Sequence, residues 1–315
     1  MTVKPRIVFM GTPAFALPAL NLLHNSSFKI SAVVTQPDRP AGRGQKEVAP
    51  PVKLLAQKFG LPVLQPPRVK DPSFLDTLYS LKPDMVVVAA FGQILPKTII
   101  DFPPLGCLNI HPSLLPKYRG AAPLNWSIIR GETKAGVTIM LMDEGMDSGD
   151  ILTQEETPLG MAETYGELHD RLAILGSTLL LQTIENAVAG NARRQPQDAS
   201  GVTFAPRLTK ETGKINWQDS ASNIVNLIRG LCPSPAAYTS LDGQVLKIFN
   251  AGALPDLADQ SQSPGLIGAV TEAGLPVAAS DGYVILKDVQ LAGKKRMKIN
   301  DFLRGYKLKP GSVLG

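Results

Sequence analysis

Between Gly106 and Gly120 the chain reads Gly-Cys-Leu-Asn-Ile-His-Pro-Ser-Leu-Leu-Pro-Lys-Tyr-Arg-Gly, and two of these residues suit acyl-group chemistry. Cys107 to Ile110 is short, apolar and bounded by Gly106 and Pro112, which fits a strand ending abruptly at a loop. On a strand, residues two apart face the same side, so Asn109 and His111 are expected to project together. The amide can donate to a developing oxyanion, and the imidazole exchanges a proton near neutral pH. A histidine after a buried strand is more often a packed loop residue. Its setting is what favours a site, because Pro112 and Pro116 stiffen a loop leaving a strand end, where parallel sheets place their ligands. Downstream, the acidic, glycine-punctuated run Met142-Asp-Glu-Gly-Met-Asp147-Ser-Gly-Asp150 follows another apolar strand. It can supply a carboxylate to orient His111 or relay its protons, where a bland reading sees an ordinary polar turn.

These residues need elements to hold them. Arg6 to Gly11 reads as a buried strand entering a turn, and Phe15, Leu17, Leu20 and Leu23 form a helical stripe after it. Strand, turn and helix in that order predict a doubly wound, mostly parallel α/β sheet. The turn lacks the later glycines of a dinucleotide fingerprint, so a nicotinamide cofactor is not supported. Phe28 to Thr35 is the second strand, a helix runs through Val52 to Phe59, and another follows Asp71-Pro72. Asp84 to Ala90 is apolar throughout and reads as a central parallel strand buried on both faces. Phe91-Gly-Gln-Ile-Leu-Pro96 leaves its carboxyl end. Ala121 to Arg130 is a helix, and Gly136 to Met142 is a strand expected to deliver Asp147 to the His111 rim. Thr164-x-x-Glu167 is a capping box opening a helix marked by Leu168, Leu172, Leu175 and Leu179 and stopped by Gly190. On that helix His169 reads as a surface residue. The stretch 36–50 has three prolines, two glycines and three basic side chains, and reads as a long exposed loop.

The combination Asn109-Ile-His111-Pro-Ser113-Leu-Leu-Pro116-x-Tyr-Arg-Gly120, followed by Asp147-Ser-Gly-Asp150, resembles the signature of the 10-formyltetrahydrofolate-dependent formyltransferases. Along its whole length the chain is similar to the members that act on methionyl-tRNA. The resemblance implies 10-formyltetrahydrofolate as formyl donor, methionyl initiator tRNA as acceptor, and Asn109, His111 and Asp147 as the catalytic residues. It places the folate on the turn Ser113, Leu114, Leu115, Pro116 and on Ile94 and Leu95. It implies that Arg43, supported by Arg39 and Lys46, reaches the acceptor end of the tRNA.

Domain organisation and charge agree with a large polyanionic acceptor. At 315 residues the chain can bury two cores. Residues 1–190 are expected to form the catalytic domain, 191–206 a linker without periodicity, and 207–315 a second domain. There, the hairpin turn Asp242-Gly243 and the later Asp281-Gly282 separate short strands that suggest a small barrel, and the resemblance implies an OB-like fold. The net charge of +5 lies wholly in the last third, since residues 1–189 hold 17 basic and 17 acidic side chains and 190–315 hold 15 and 10. The segments 294–298 and 304–309 carry most of that excess, and Lys294, Lys295, Arg296, Lys298 and Arg304 are the candidate tRNA contacts. No run reaches the length of a membrane helix and no secretory signal is expected at the start. Cys107 and Cys232 share no motif, so neither a disulfide framework nor a metal is expected, and a reduced cytoplasm is the natural compartment. Without a long exposed apolar seam the chain is expected to be a monomer. Two rival readings remain at this level: a formyltransferase acting on a small amine such as glycinamide ribonucleotide or an amino sugar nucleotide, and a nucleic-acid-binding module on an inactive scaffold.

Overall fold

The computed structural model describes residues 4–41, 46–255, 263–309 and 311–315. Two compact units emerge: residues up to Gly120 with Ala135–Thr157 and His169–Phe204, and Ala121–Lys134 with Pro158–Leu168 and Ala205–Gly315.

The first unit is built on a seven-stranded sheet. In chain order its elements begin β1 (Arg6–Gly11), α1 (Leu17–His24), β2 (Lys29–Val34), β3 (Arg39–Ala41), β4 (Lys46–Val48), α2 (Pro51–Lys58), β5 (Val63–Leu64), α3 (Pro72–Ser80), β6 (Met85–Ala89), α4 (Lys97–Ile100), β7 (Cys107–His111) and β8 (Arg119–Gly120). After α5 (Pro123–Ile129), which belongs to the second unit, come β9 (Lys134–Leu141), β10 (Ile151–Pro158) and α6 (Tyr165–Val188). Strand order is β10-β9-β7-β6-β1-β2-β5. The pairs from β7 through β6, β1 and β2 to β5 are parallel, and β9 lies antiparallel to β7. β6 is buried along its whole length, as its run of valines requires. On one sheet face Val8, Met10, Val34, Val86, Val88 and Cys107 pack with Phe74 and Leu78 of α3 and with Ile99 and Ile100 of α4. On the other, α6 lies against β7 and β9 so closely that a Cβ on Gly176 would come within 2.9 Å of Ile110.

Several expectations are met and several need correction. The capping box is present: Thr164 N donates to Glu167 Oε2 at 2.8 Å and Glu167 N to Thr164 Oγ1 at 3.4 Å. Asp71 precedes α3, but its side chain caps nothing; Pro72 at the first helical position sets that start instead. The 36–50 stretch is not a structureless loop, because β3 and β4 pair antiparallel within it. Its entry is also anchored: Gln36 is buried, and Asp38 accepts from Lys53 and Gln65 at 2.6 and 2.8 Å. Of the three basic residues there, Arg39 is exposed and donates to Gln36 Oε1, Arg43 lies outside the described residues, and Lys46 pairs through its backbone with Ala41. The 191–206 stretch is no free linker either. Gln195 exchanges both backbone hydrogen bonds with Ile151, and Arg119 N donates to Thr203 O.

The second unit continues with β11 (Phe204–Ala205), α7 (Ala221–Gly230), β12 (Ala237–Leu241), β13 (Gln244–Pro255), β14 (Leu275–Ala278), β15 (Gly282–Leu291), β16 (Met297–Lys298) and α8 (Ile299–Gly305). Its strands run β12-β13-β15-β14 with β16 on β15, and all four of these pairings are antiparallel. Asp242 and Gly243 take φ of 48° and 76°, as a two-residue hairpin turn demands. Ser220 Oγ accepts from Asn223 N and Asp281 Oδ1 from Ala221 N, so α7 starts capped twice. Its core gathers Trp217, Ile224 and Ile228 with Leu246, Ile248, Leu286 and Phe302. Chain order alone does not show that α5 joins this unit: Asn125, buried, donates to Gly230 O at 2.8 Å, and Trp126 Nε1 to Pro206 O at 2.7 Å.

Candidate active site

β7 presents the candidate residues as its alternation requires. Val88 of β6 pairs with Asn109, so Asn109 and His111 share the face of Val86 and Val88, while Ile110 turns to α6. Both are buried, His111 to within 3% of full enclosure. The imidazole is fixed at one nitrogen and turned to an acid at the other. Nε2 lies 3.1 Å from Tyr118 O, and because a carbonyl can only accept, Nε2 carries the hydrogen in that bond. Nδ1 then faces Asp147, whose Oδ2 is 3.7 Å away. The same Oδ2 accepts from Gly120 N at 2.8 Å. Asn109 makes no side-chain hydrogen bond among the described residues, which leaves its amide open to a ligand.

Asp147 reaches His111 by a route opposite to the expected one. β9 is antiparallel to β7, with His111 beside Thr138 and Leu108 beside Leu141, so β9 ends near the start of β7 and away from the His111 rim. The 142–149 loop must therefore come back to meet His111. It can do so because it returns tightly: Leu141 N donates to Asp150 O, and a Cβ on Gly149 would run into the Leu141 carbonyl. Asp147 itself sits at φ 49°, in the left-handed region that side chains other than glycine seldom adopt.

The turn after His111 is held from beneath. Thr138 Oγ1 donates to Ser113 O at 2.6 Å and accepts from Leu115 N and Gln154 Nε2, while Gln154 also donates to Leu115 O. Ser113 Oγ donates to Lys117 O, and Leu115 packs with Met140 and Ile151. Leu114 lies flat on Gly136, where any Cβ would strike it. Ser113 and Leu115 thus shape the loop, and Leu114 and Pro116 are its half-buried members. At the carboxyl end of β6, Leu95 is buried but Ile94 stands 92% exposed beside the rim, an apolar side chain with no protein cover. Thr12 Oγ1 and Gln36 Nε2 both donate to Phe91 O in this segment.

Cys107 cannot act as a nucleophile here: burial, with Asp101 adding to it, pushes its thiol up to about 12. Among the described residues no group of histidine, cysteine and acidic side chains is arranged to hold a metal. His169 is mostly covered, edge-on to Phe15 with its Nδ1 on Asp170.

The candidate tRNA contacts of the second unit divide into two kinds. Lys294 and Lys295 are exposed in the turn after β15. Arg296 instead donates to Asp288 Oδ2 at 2.9 Å and lies over the Phe249 ring, and Lys298 Nζ forms an ion pair with Asp288 Oδ1 at 2.9 Å. Burial alone would raise the Asp288 carboxyl, yet Lys298 and Arg296 together hold it below the usual carboxylate range. Arg304 pairs with Asp301 one turn earlier on α8.

Sequence reasoning missed Gln154, Thr138, Arg119 and Gln197. Arg119 donates from Nε and Nη2 to Gln197 Oε1, and Gln197 Nε2 donates to Asp147 O and Gly149 O. Arg119 falls inside the signature quoted above but was given no role there, and nothing in the spacing of the other three marks them, since each acts through a contact distant in sequence.

An amide and an imidazole at one strand end, met by a carboxylate from a loop, suit attack of an amine on a formyl carbon, and known proteins match the chain. It is 57% identical over 312 residues to the methionyl-tRNA formyltransferase of Syntrophus aciditrophicus, covering 99% of each, and 48% identical over 310 residues to that of Geotalea uraniireducens, covering 98% of each. In fold it is similar to an N-formyltransferase from Helicobacter canadensis solved with folinic acid and dTDP-3-aminofucose, with a TM-score of 0.68, 20% identity and coverage of 93% and 100%. HypX from Aquifex aeolicus with tetrahydrofolic acid gives a TM-score of 0.64 at 18% identity; 98% of this chain aligns, spanning 49% of HypX. Residues 5–184 match the family described as Formyl transferase and residues 207–307 its C-terminal domain. With the candidate catalytic residues all inside the first match and both matches in order, the chain belongs to the formyl transferase family.

Proposed function

We propose that the chain transfers a formyl group from 10-formyltetrahydrofolate to the free amino group of methionyl initiator tRNA, in the cytoplasm and as a monomer. The observation that carries the site assignment is the 3.7 Å approach of Asp147 Oδ2 to His111 Nδ1, with the open amide of Asn109 on the same strand face. Relatives at 46–57% identity over nearly the full chain are methionyl-tRNA formyltransferases, which favours a tRNA acceptor over a small amine.

The amine attacks while uncharged, and a C–N bond forms as the carbonyl pair moves onto oxygen. Asn109 donates to that oxyanion, and His111 donates from Nδ1 once that nitrogen holds a proton, which Asp147 then stabilises by charge. The former amine nitrogen, now cationic, loses a proton toward the Asp147–His111 pair. The bond from the formyl carbon to N10 breaks, N10 takes a proton, and tetrahydrofolate leaves. Exposed Ile94, past the carboxyl end of β6, offers an apolar surface to the folate ring, which also meets the Ser113–Pro116 turn. Residues 1–190 perform the transfer, 207–315 hold the tRNA, and Lys294 and Lys295 are the basic residues best placed for phosphate.

The test is formyl transfer by the purified chain, with 10-formyltetrahydrofolate and tRNA charged with methionine. Turnover on initiator tRNA well above that on elongator tRNA or on glycinamide ribonucleotide is expected. Preference for the small amine would overturn the reading.

A further inference from the structure

Gln197 lies beyond the long helix α6, and the chemistry above makes no use of it. Its side chain is nonetheless committed at every position. Nε2 donates to Asp147 O and Gly149 O, both at 2.8 Å, and Oε1 accepts from Arg119 Nε at 3.0 Å and Nη2 at 2.7 Å. These partners fix which way the amide points, because carbonyls cannot donate and a guanidinium cannot accept. The backbone that carries Gln197 is pinned on both sides, by Gln195 to Ile151 and by Thr203 to Arg119, with Tyr118 N also donating to Thr203 Oγ1.

Asp147 needs such a hold. At φ 49° its backbone is in the left-handed region, which aspartate adopts at less cost than most side chains but which leaves the path of the loop to be set by its contacts. Gly120 N fixes the carboxylate, and Gln197 fixes the main chain behind it and ties both to the segment that carries His111. We infer that Gln197 is a positioning residue for formyl transfer, clamping the Asp147 backbone so that the carboxylate stays turned to His111. Asparagine or alanine is too short to span this distance, and glutamate would keep Arg119 but set a carboxylate against two carbonyls.

The inference rests on Asp147 taking part in the reaction, so the full-length chain is compared as wild type, Gln197→Ala, Gln197→Glu, Asp147→Asn and the Gln197→Ala/Asp147→Asn double variant. The readouts are kcat, KM for each substrate and thermal melting. Gln197→Ala and Gln197→Glu are each expected to lower kcat about 10- to 100-fold, the scale of a misplaced catalytic group. KM for folate and for tRNA should stay within about twofold, a split that general loss of structure does not give. In the Asp147→Asn background the alanine change should add less than about twofold, since the two act as one unit. Wild-type kcat in Gln197→Ala beside a crippled Asp147→Asn overturns the role of Gln197 alone. Near-normal turnover in Asp147→Asn overturns the reading beneath it. A loss that appears in KM, or that multiplies in the double variant, places Gln197 elsewhere and also defeats the inference. Gln197→Glu keeps the Arg119 contact, so it carries the same test if the alanine variant does not fold.

Discussion

At the scale of single residues, the proposed chemistry turns on which nitrogen of His111 is free. Tyr118 O occupies Nε2, so under the proposed reaction the proton passes through Nδ1, the nitrogen that Asp147 faces. Asn109→Ala is therefore expected to lower kcat on the order of 100- to 1,000-fold as a lost oxyanion donor. His111→Ala and Asp147→Ala should each cost on the order of 100- to 10,000-fold as lost acid–base partners. Filter binding at fixed salt should show tRNA affinity preserved in all three, and near-full turnover of His111→Ala would end the proton-transfer assignment. Asn109 and His111 were legible because side-chain alternation on a strand is a local property. Asp147 was legible as an acid in a turn, and aspartate tolerates a left-handed backbone there, but nothing local says which residue of the 142–150 run adopts it. Gln197 left no signal at all: its partners are the carbonyls of Asp147 and Gly149, some fifty residues away.

At the scale of elements, local rules gave starts and stops while pairing direction stayed hidden. The Thr164–Glu167 box and the Asp242-Gly243 turn are each decided within four residues, and both appear as read. Whether β9 runs with or against β7 depends on the whole crossover between them, so the sequence suggested a shared rim where the fold makes a return loop. That return concentrates the demand on Gly149, whose missing Cβ lets the chain pass the Leu141 carbonyl. Gly149→Ala should displace the loop, costing about 1–3 kcal/mol of stability as an overpacked site. Because Asp147 is two residues away, kcat should fall at least about tenfold with it, the scale of a misplaced group. Urea unfolding and steady-state kinetics check both; a variant of normal stability and normal kcat would show that the loop closes in some other way.

At the scale of the whole molecule, the positive excess of the last third is a plain count of residues, but which of those charges face outward is not legible in it. The sequence also could not assign α5 to the second unit, because the acceptor of Asn125 lies 105 residues on. Lys294 and Lys295 have no carboxylate partner among the described residues, whereas Arg296 and Lys298 neutralise Asp288. Two different responses follow. Lys294→Ala and Lys295→Ala should leave stability within about 0.5 kcal/mol, as surface changes do, and each should lower the slope of log tRNA affinity against log salt by about 1. Arg296→Ala should cost about 1 kcal/mol, more than an exposed pair and less than a fully buried one because the guanidinium is half exposed. The pH dependence has a definite sign. Asp288 is held below its unfolded value of about 3.9, so the stability it contributes is present above that pH and fades as pH falls through the lower folded value. Wild-type chain should therefore lose urea resistance below about pH 4. Arg296→Ala, starting lower at pH 7, should lose less over the same interval. If Arg296→Ala instead flattened the salt slope and left stability and its acid dependence untouched, Arg296 would be a tRNA contact and Asp288 would owe its low value to Lys298.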